Sequence, residues 1–381
     1  MPVSPRRSWF PRALITALLP FTCGAIAFGQ RPAPAPAQKP DPASQAQVQA
    51  EQQEIQSLVR IADAAMTGQQ APSDFPIQFQ NDFLKAQGSR VWVPITLTLD
   101  PAKLSSSALT LYLRVAPRGM TAPPAPPPAP DTSKDKKDDK NKNAKPAPPA
   151  APAYPFEDVS FMDVKAAPGQ PLRILRGIGV PAGSYDLYVV LHERLAGAAP
   201  APGASPAPPA GKISVLKQPL DVPNYATGEF STSTVILAER VDQLPAPIAP
   251  DKQSEHPYAF GQTEIVVSPE RKFKKPQELI VLLQIYNPML TPEKKFNLEA
   301  TYTFYRQDGG AEKRFNSTEP QIFSSETMGA GFDPSGNSSI QAGQGVPLQS
   351  FPEGQYRLEI KITDKLSAKV LTQNVNFTVT P

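Results

Sequence analysis

Two histidines, a small cluster of carboxylates and one cysteine are the residues of this 381-residue chain with obvious chemical potential. His192 and His256 lie far apart in sequence, so a zinc site would need both of them and carboxylates besides. His192-Glu193-Arg194-Leu195-Ala196 opens like a zinc-protease helix, but no second histidine follows and the stretch alternates as a strand. Gly177-Ile178-Gly179-Val180-Pro181-Ala182 matches the letters of a dinucleotide fingerprint. That fingerprint needs a helix after its turn, and here Pro181 and an alternating strand follow. Asp333, Ser335 and Asn337 suit turn chemistry better than calcium, because the closing glutamate of a calcium loop is missing. Glu157, Asp158 and Asp163 are close enough in sequence to suggest an acid pair for glycoside hydrolysis, a weak third reading. There is no P-loop and no G-x-S-x-G elbow. No catalytic residue, metal ligand or cofactor is assigned, and the chain reads as non-enzymatic.

The elements that must carry these residues are visible in a repeat. FPEGQYRLEIKITDKL (351–366) echoes VPAGSYDLYVVLHERL (180–195), pairing Pro352 with Pro181, Gly354 with Gly183 and Tyr356 with Tyr185. Leu187, Val189 and Leu191 then match Leu358, Ile360 and Ile362, an alternation of period two that marks a strand with one face in a core. Proline and glycine turn the chain and the tyrosine opens the strand. In immunoglobulin-like sandwiches a tyrosine there returns its hydroxyl to an upstream backbone group, a tyrosine corner. The spacing therefore predicts an all-β fold with two immunoglobulin-like sandwiches in tandem, spanning 73–224 and 225–381.

Outside the shared corner the copies differ. Residues facing away from the core are Arg357, Glu359, Lys361 and Thr363 in the second copy, but Asp186, Tyr188, Val190 and His192 in the first. With Tyr112 and Arg114 on a neighbouring strand, Tyr112, Arg114, Tyr188 and His192 make a candidate binding face. Exposed, it would suit a protein partner or a sugar, with Trp92 as a further stacking platform; covered by the N-terminal helix or the other module, it would be structural.

Proline is the compositional anomaly, with 48 residues gathered in runs that can be neither helix nor central strand. Residues 1–29 run from a basic start through a short apolar stretch to small residues, the order of a secretory signal peptide, and the only cysteine, Cys23, falls inside it. A Pro/Ala/Gln-rich linker, 30–72, carries one amphipathic helix over about 45–67, opened by a capping box at Ser44–Gln47 and stopped near Gly68. Low-complexity inserts at about 117–154 and 196–211 interrupt the first sandwich and should be disordered loop extensions. The net charge of +3 owes much to Arg6, Arg7 and Arg12, leaving no basic stripe for nucleic acid. The expectation is an exported periplasmic or extracellular protein with no transmembrane span in the mature chain, whose partner is a cell-envelope or extracellular protein or a glycan.

FPEGQYRLEIKITDKLSAK, with QAGQGVPLQS before it and NVNFTV after, resembles the carboxy-terminal β-sandwich region of some GWxTD-domain proteins, uncharacterised secreted bacterial proteins. The resemblance covers most of the second sandwich and, more loosely, the first. The GWxTD motif itself is absent. The resemblance implies export and a sandwich fold, and supplies no catalytic residues.

Overall fold

The period of three to four in residues 48–66 does become a helix, and beyond it the described residues form twenty strands. The computed structural model describes residues 42–121, 154–195, 211–329, 332 and 339–381, and Ala46–Pro381 form one compact unit. The expected signal peptide, Cys23, the bulk of both inserts and the Asp333, Ser335, Asn337 loop lie outside the described residues. Helix α1 spans Pro42–Met66. It begins before the expected capping box, so Ser44–Gln47 sits inside the helix, and proline is well suited to the first helical turn. Its end is a Schellman turn. Gly68 adopts φ 81°, its N–H donates to Ala65 O at 3.2 Å, and Gln69 N–H donates to Ala64 O at 3.0 Å.

The first sandwich is built from β1 (Gln78–Asn81), β2 (Leu84–Lys85), β3 (Arg90–Leu99), β4 (Ala108–Pro117), β5 (Phe156–Asp163), β6 (Leu172–Pro181), β7 (Gly183–Glu193) and β8 (Ile213–Val222). One sheet runs β5-β4-β7-β8; the other has β3 at its centre, with β6 on one side and β1 and β2 on the other. The β1–β2 edge breaks at Asp82-Phe83, opposite Pro94, which has no N–H to give the ladder. Val91, Val93, Ile95, Leu97 and Leu99 face Leu109, Leu111, Leu113, Leu187, Val189 and Leu191 across the core. The described residues reach the margins of both expected inserts. Strand β4 continues to Pro117 and a turn follows to Met120, while Tyr154 and Gly211 already belong to the folded part.

The second sandwich comprises β9 (Ser231–Thr232), β10 (Ile236–Gln243), β11 (Ala259–Phe260), β12 (Thr263–Val267), β13 (Lys272–Lys274), β14 (Glu278–Tyr286), β15 (Asn297–Asp308), β16 (Ala311–Ser317), β17 (Gln321–Ser324), β18 (Ile340–Pro347), β19 (Gly354–Asp364) and β20 (Val370–Thr380). Its sheets run β11-β12-β10-β14-β18, with β9 on β14, and β13-β20-β19-β15-β16, with β17 on β15. Gly309 and Gly310 both take positive φ between β15 and β16, the backbone that a tight hairpin demands. The repeated strands occupy matching places. Leu187, Val189 and Leu191 of β7 and Leu358, Ile360 and Ile362 of β19 are all fully buried, each set in its own core.

Both corners close as expected, though unequally. The Tyr356 hydroxyl donates to Pro352 O at 2.6 Å, whereas the Tyr185 hydroxyl reaches Ala182 O only at 3.4 Å. Gly183 and Gly354 sit at φ 154° and 143°, where a side chain would be strained.

The two sandwiches are not strung on a bare linker. Leu84, Trp92 and Leu175, from the outward face of the β3 sheet, pack against Ile236, Tyr258, Ile265, Val267 and Leu282 of the second sandwich. Tyr225 and Tyr286 enter the first core, with ring centroids 4.8 Å apart. The sheets on either side of the junction are thus covered on both faces where these residues meet.

Candidate functional site

The face singled out by sequence is assembled but not exposed. Strand β4 lies beside β7 with Tyr112 opposite Val190, Arg114 opposite Tyr188 and Thr110 opposite His192, so the four residues do share one surface. Helix α1 covers that surface. Tyr112 and Tyr188 are each 1% exposed, Arg114 2% and His192 3%. Leu58 and Ala62 pack on Tyr112, Val190 and Ile213, and Met66 packs with Tyr188 and Ala116. Burying a leucine or methionine stabilises by about 1.5–3 kcal/mol, enough to hold a single helix down. An exposed aromatic patch at Tyr112 and Tyr188 is therefore ruled out, and neither can stack on a sugar.

Polar groups lock the helix at two points. Glu54 Oε1 lies 2.6 Å from His192 Nδ1 and accepts from the Thr110 hydroxyl at 2.6 Å, with Arg194 Nε 3.6 Å from the other oxygen. Burial pushes the Glu54 carboxyl up. Hydrogen bonds from His192 and Thr110 and the charges of His192 and Arg194 outweigh it and hold the carboxyl below its ordinary value. Toward the C-terminal end of the helix, Arg114 reaches Asp63 at 2.5 Å and Glu157 at 2.8 Å, while Tyr112 donates its hydroxyl to Glu157. The guanidinium also stands 4.3 Å over the Tyr154 ring. Burial lowers the Arg114 pKa, but its two carboxylates more than restore it. Glu54 and Asp63 were missed from sequence because they sit on the polar flank of an amphipathic helix, where acids are normally solvated.

The candidate hydrolytic acids do not converge. Glu157 is engaged by Arg114 and Tyr112. Its neighbour Asp158 points to the opposite face of β5 and takes the Ser160 hydroxyl at 3.0 Å. Asp163, at the far end of β5, is about 20 Å from Glu157 at the usual rise per residue, far beyond the 5–9.5 Å that an acid pair needs. His256 pairs with Glu264 at 2.8 Å, away from His192 in the other sandwich. No group of three or more His, Cys, Asp or Glu side chains that could hold a metal occurs among the described residues.

A second polar cluster sits at the junction. The Tyr258 hydroxyl donates to Asp82 Oδ2 at 2.6 Å inside the apolar contact. Burial raises the Asp82 pKa, against hydrogen bonds from Tyr258 and Thr234 and the charge of Arg271. Arg173 bridges Glu270 at 2.5 Å and Glu239 at 3.5 Å. Trp92 Nε1 donates to Pro257 O at 2.9 Å, and Gly177 N–H donates to Ser254 O at 2.7 Å. A Cβ on Gly177 would fall 2.0 Å from a Trp92 ring carbon, so the glycine that resembled a nucleotide motif exists to seat an indole. Beside Trp92 opens a cleft of about 570 Å³.

No family model and no curated protein matches the chain. Among solved structures it is similar to a calcium-binding mutant of Bacteroides uniformis beta-glucuronidase 2, with 10% identity and a TM-score of 0.23; the match covers 80% of this chain and 32% of that one. No helix among the described residues is long and apolar enough to cross a membrane.

Proposed function

We propose that the chain is an exported, non-enzymatic protein that acts by binding, with the fused sandwiches serving as a stiff body for its binding surfaces. The observation that carries this reading is the junction. Domains joined by small wet contacts move relative to one another, whereas here an apolar cluster, a buried Tyr258–Asp82 bond and the Arg173 bridges tie the two together. A body that does not flex suits a spacer or platform better than a closing catalytic cleft. Two of the groups that sequence offered for chemistry are taken up under helix α1, His192 by Glu54 and Glu157 by the Arg114 that also holds Asp63, which favours a structural use of them. Export rests on the basic, apolar and small-residue order of residues 1–29.

Crosslinking the mature protein in its cell, followed by mass spectrometry of what it captures, tests the reading. Repeated capture of the same cell-envelope or extracellular component is expected. Turnover of ester, glycoside or peptide substrates by the purified chain, abolished by one point substitution, would overturn it.

A further inference from the structure

We infer that the cleft at the junction of the two sandwiches is an oligosaccharide-binding site, a ligand class that rests on reading the chain as a non-enzymatic binder. The cleft is lined by Trp92 and Phe260, by the amides of Gln87, Gln253 and Gln284, and by Lys85, with a volume of about 570 Å³. Phe260 is 39% exposed, on a two-residue strand ended by Gly261 at φ 60°. Phe260 and the half-buried Trp92 thus both line the cleft and offer it aromatic surface.

Three of the lining side chains are held before any ligand arrives. The Trp92 ring rests on Gly177 with its N–H held by Pro257 O. Gln253 Nε2 donates to His256 O and Ala259 O, at 3.1 and 3.0 Å. Gln284 Oε1 accepts the Tyr286 hydroxyl at 2.7 Å, and that hydroxyl accepts Lys85 N–H at 2.9 Å. Pre-set side chains lower the ordering cost of binding.

The combination selects for sugar. The C–H face of a pyranose covers an aromatic ring, while its hydroxyls both donate and accept, which suits the Gln87 amide, the Gln253 carbonyl oxygen and the Gln284 N–H groups that the internal bonds leave over. A purely apolar ligand would offer nothing to the Gln87 amide, to Gln284 Nε2 or to the Lys85 ammonium. A single lysine is too little charge for a phosphate backbone. A proline-rich peptide would also suit aromatics, but the indole N–H such a peptide would use is already committed to Pro257 O. Lys85 adds a preference for sugars carrying a carboxylate.

Trp92 supplies the readout. The chain has two tryptophans, and Trp9 lies in the segment expected to be removed on export. The mature protein is titrated with cellotetraose, maltotetraose, chitotetraose, xylotetraose and tetragalacturonate, following Trp92 emission and heat of binding, with the peptide RPAPAPAQKPDPA as comparison. At least one saccharide should bind and shift the emission. Phe260→Ala should weaken that binding about tenfold, and Gln87→Ala several-fold, both without change in melting temperature. Binding by no saccharide, binding untouched by Phe260→Ala, or binding of the peptide alone would each overturn the site while leaving the non-enzymatic reading standing. Binding followed by cleavage of the saccharide would uphold the site and overturn the non-enzymatic reading.

Discussion

Glu54 of helix α1 and His192 of β7 meet at 2.6 Å, carboxylate oxygen to ring nitrogen, where the helix covers the sheet. Because Thr110 donates to the same oxygen, replacing Glu54 removes an acceptor from two buried groups at once. Glu54→Ala should cost about 1–3 kcal/mol, and Glu54→Gln less. Hydrogen exchange across residues 54–66 should rise in the alanine variant before the sandwich cores respond. The folded-state pKa of Glu54 is lowered, so its contribution is complete above the ordinary value of 4.5 and fades as pH falls through the folded value. Acid should therefore loosen the helix first.

Asp82 has the opposite sign. Its pKa is raised in the folded state, so its contribution is complete below the ordinary 3.8 and is lost as pH rises through the folded value. Exchange at the junction should slow as pH falls toward 3.8, opposite in sign to the helix, and Asp82→Asn should flatten that slope. Tyr258→Phe withdraws the hydroxyl from buried Asp82 and should cost about 1–3 kcal/mol, read by denaturant titration.

The two tyrosine corners should not be equivalent. Tyr356→Phe forfeits a 2.6 Å bond and should cost about 0.5–1.5 kcal/mol. Tyr185→Phe gives up a 3.4 Å contact, at the margin of hydrogen bonding, and should cost less. Paired thermal melts of the two variants would expose the difference.

Gly177→Ala drives a Cβ into the Trp92 ring. The indole must swing off Pro257 O, and overpacking of this kind costs about 1–3 kcal/mol. Its signature would be a red-shifted Trp92 emission alongside a lowered melting temperature.

Tyr188→Ser opens a hole beneath Met66 and Ala65 and should cost about 3–5 kcal/mol, the range for truncating a buried aromatic. Intact stability with lost capture of a ligand would contradict the burial of this face.

Much of this architecture was legible in sequence because period-two alternation is a local signal. The repeat at Tyr185 and Tyr356 located β7 and β19, and Asp308-Gly309-Gly310 located a hairpin. Whether a face is wet depends instead on what lies across from it. Tyr112, Tyr188 and His192 read as exposed or covered according to the placement of a helix whose own stripe names no partner. Likewise Trp92 reads as a polar-side residue of β3, and only the second sandwich reveals it as part of the junction. Glu54, Asp63 and Asp82 carry no spacing signature, since each acts across a long sequence distance.

Tyr225 and Tyr286 reach back from the second half of the chain into the first core, and the junction hides apolar surface on both sides. A gene fragment stopping after Val222 would therefore encode a sandwich with a gap in its core and a sticky outer sheet. Such a half would aggregate when expressed alone.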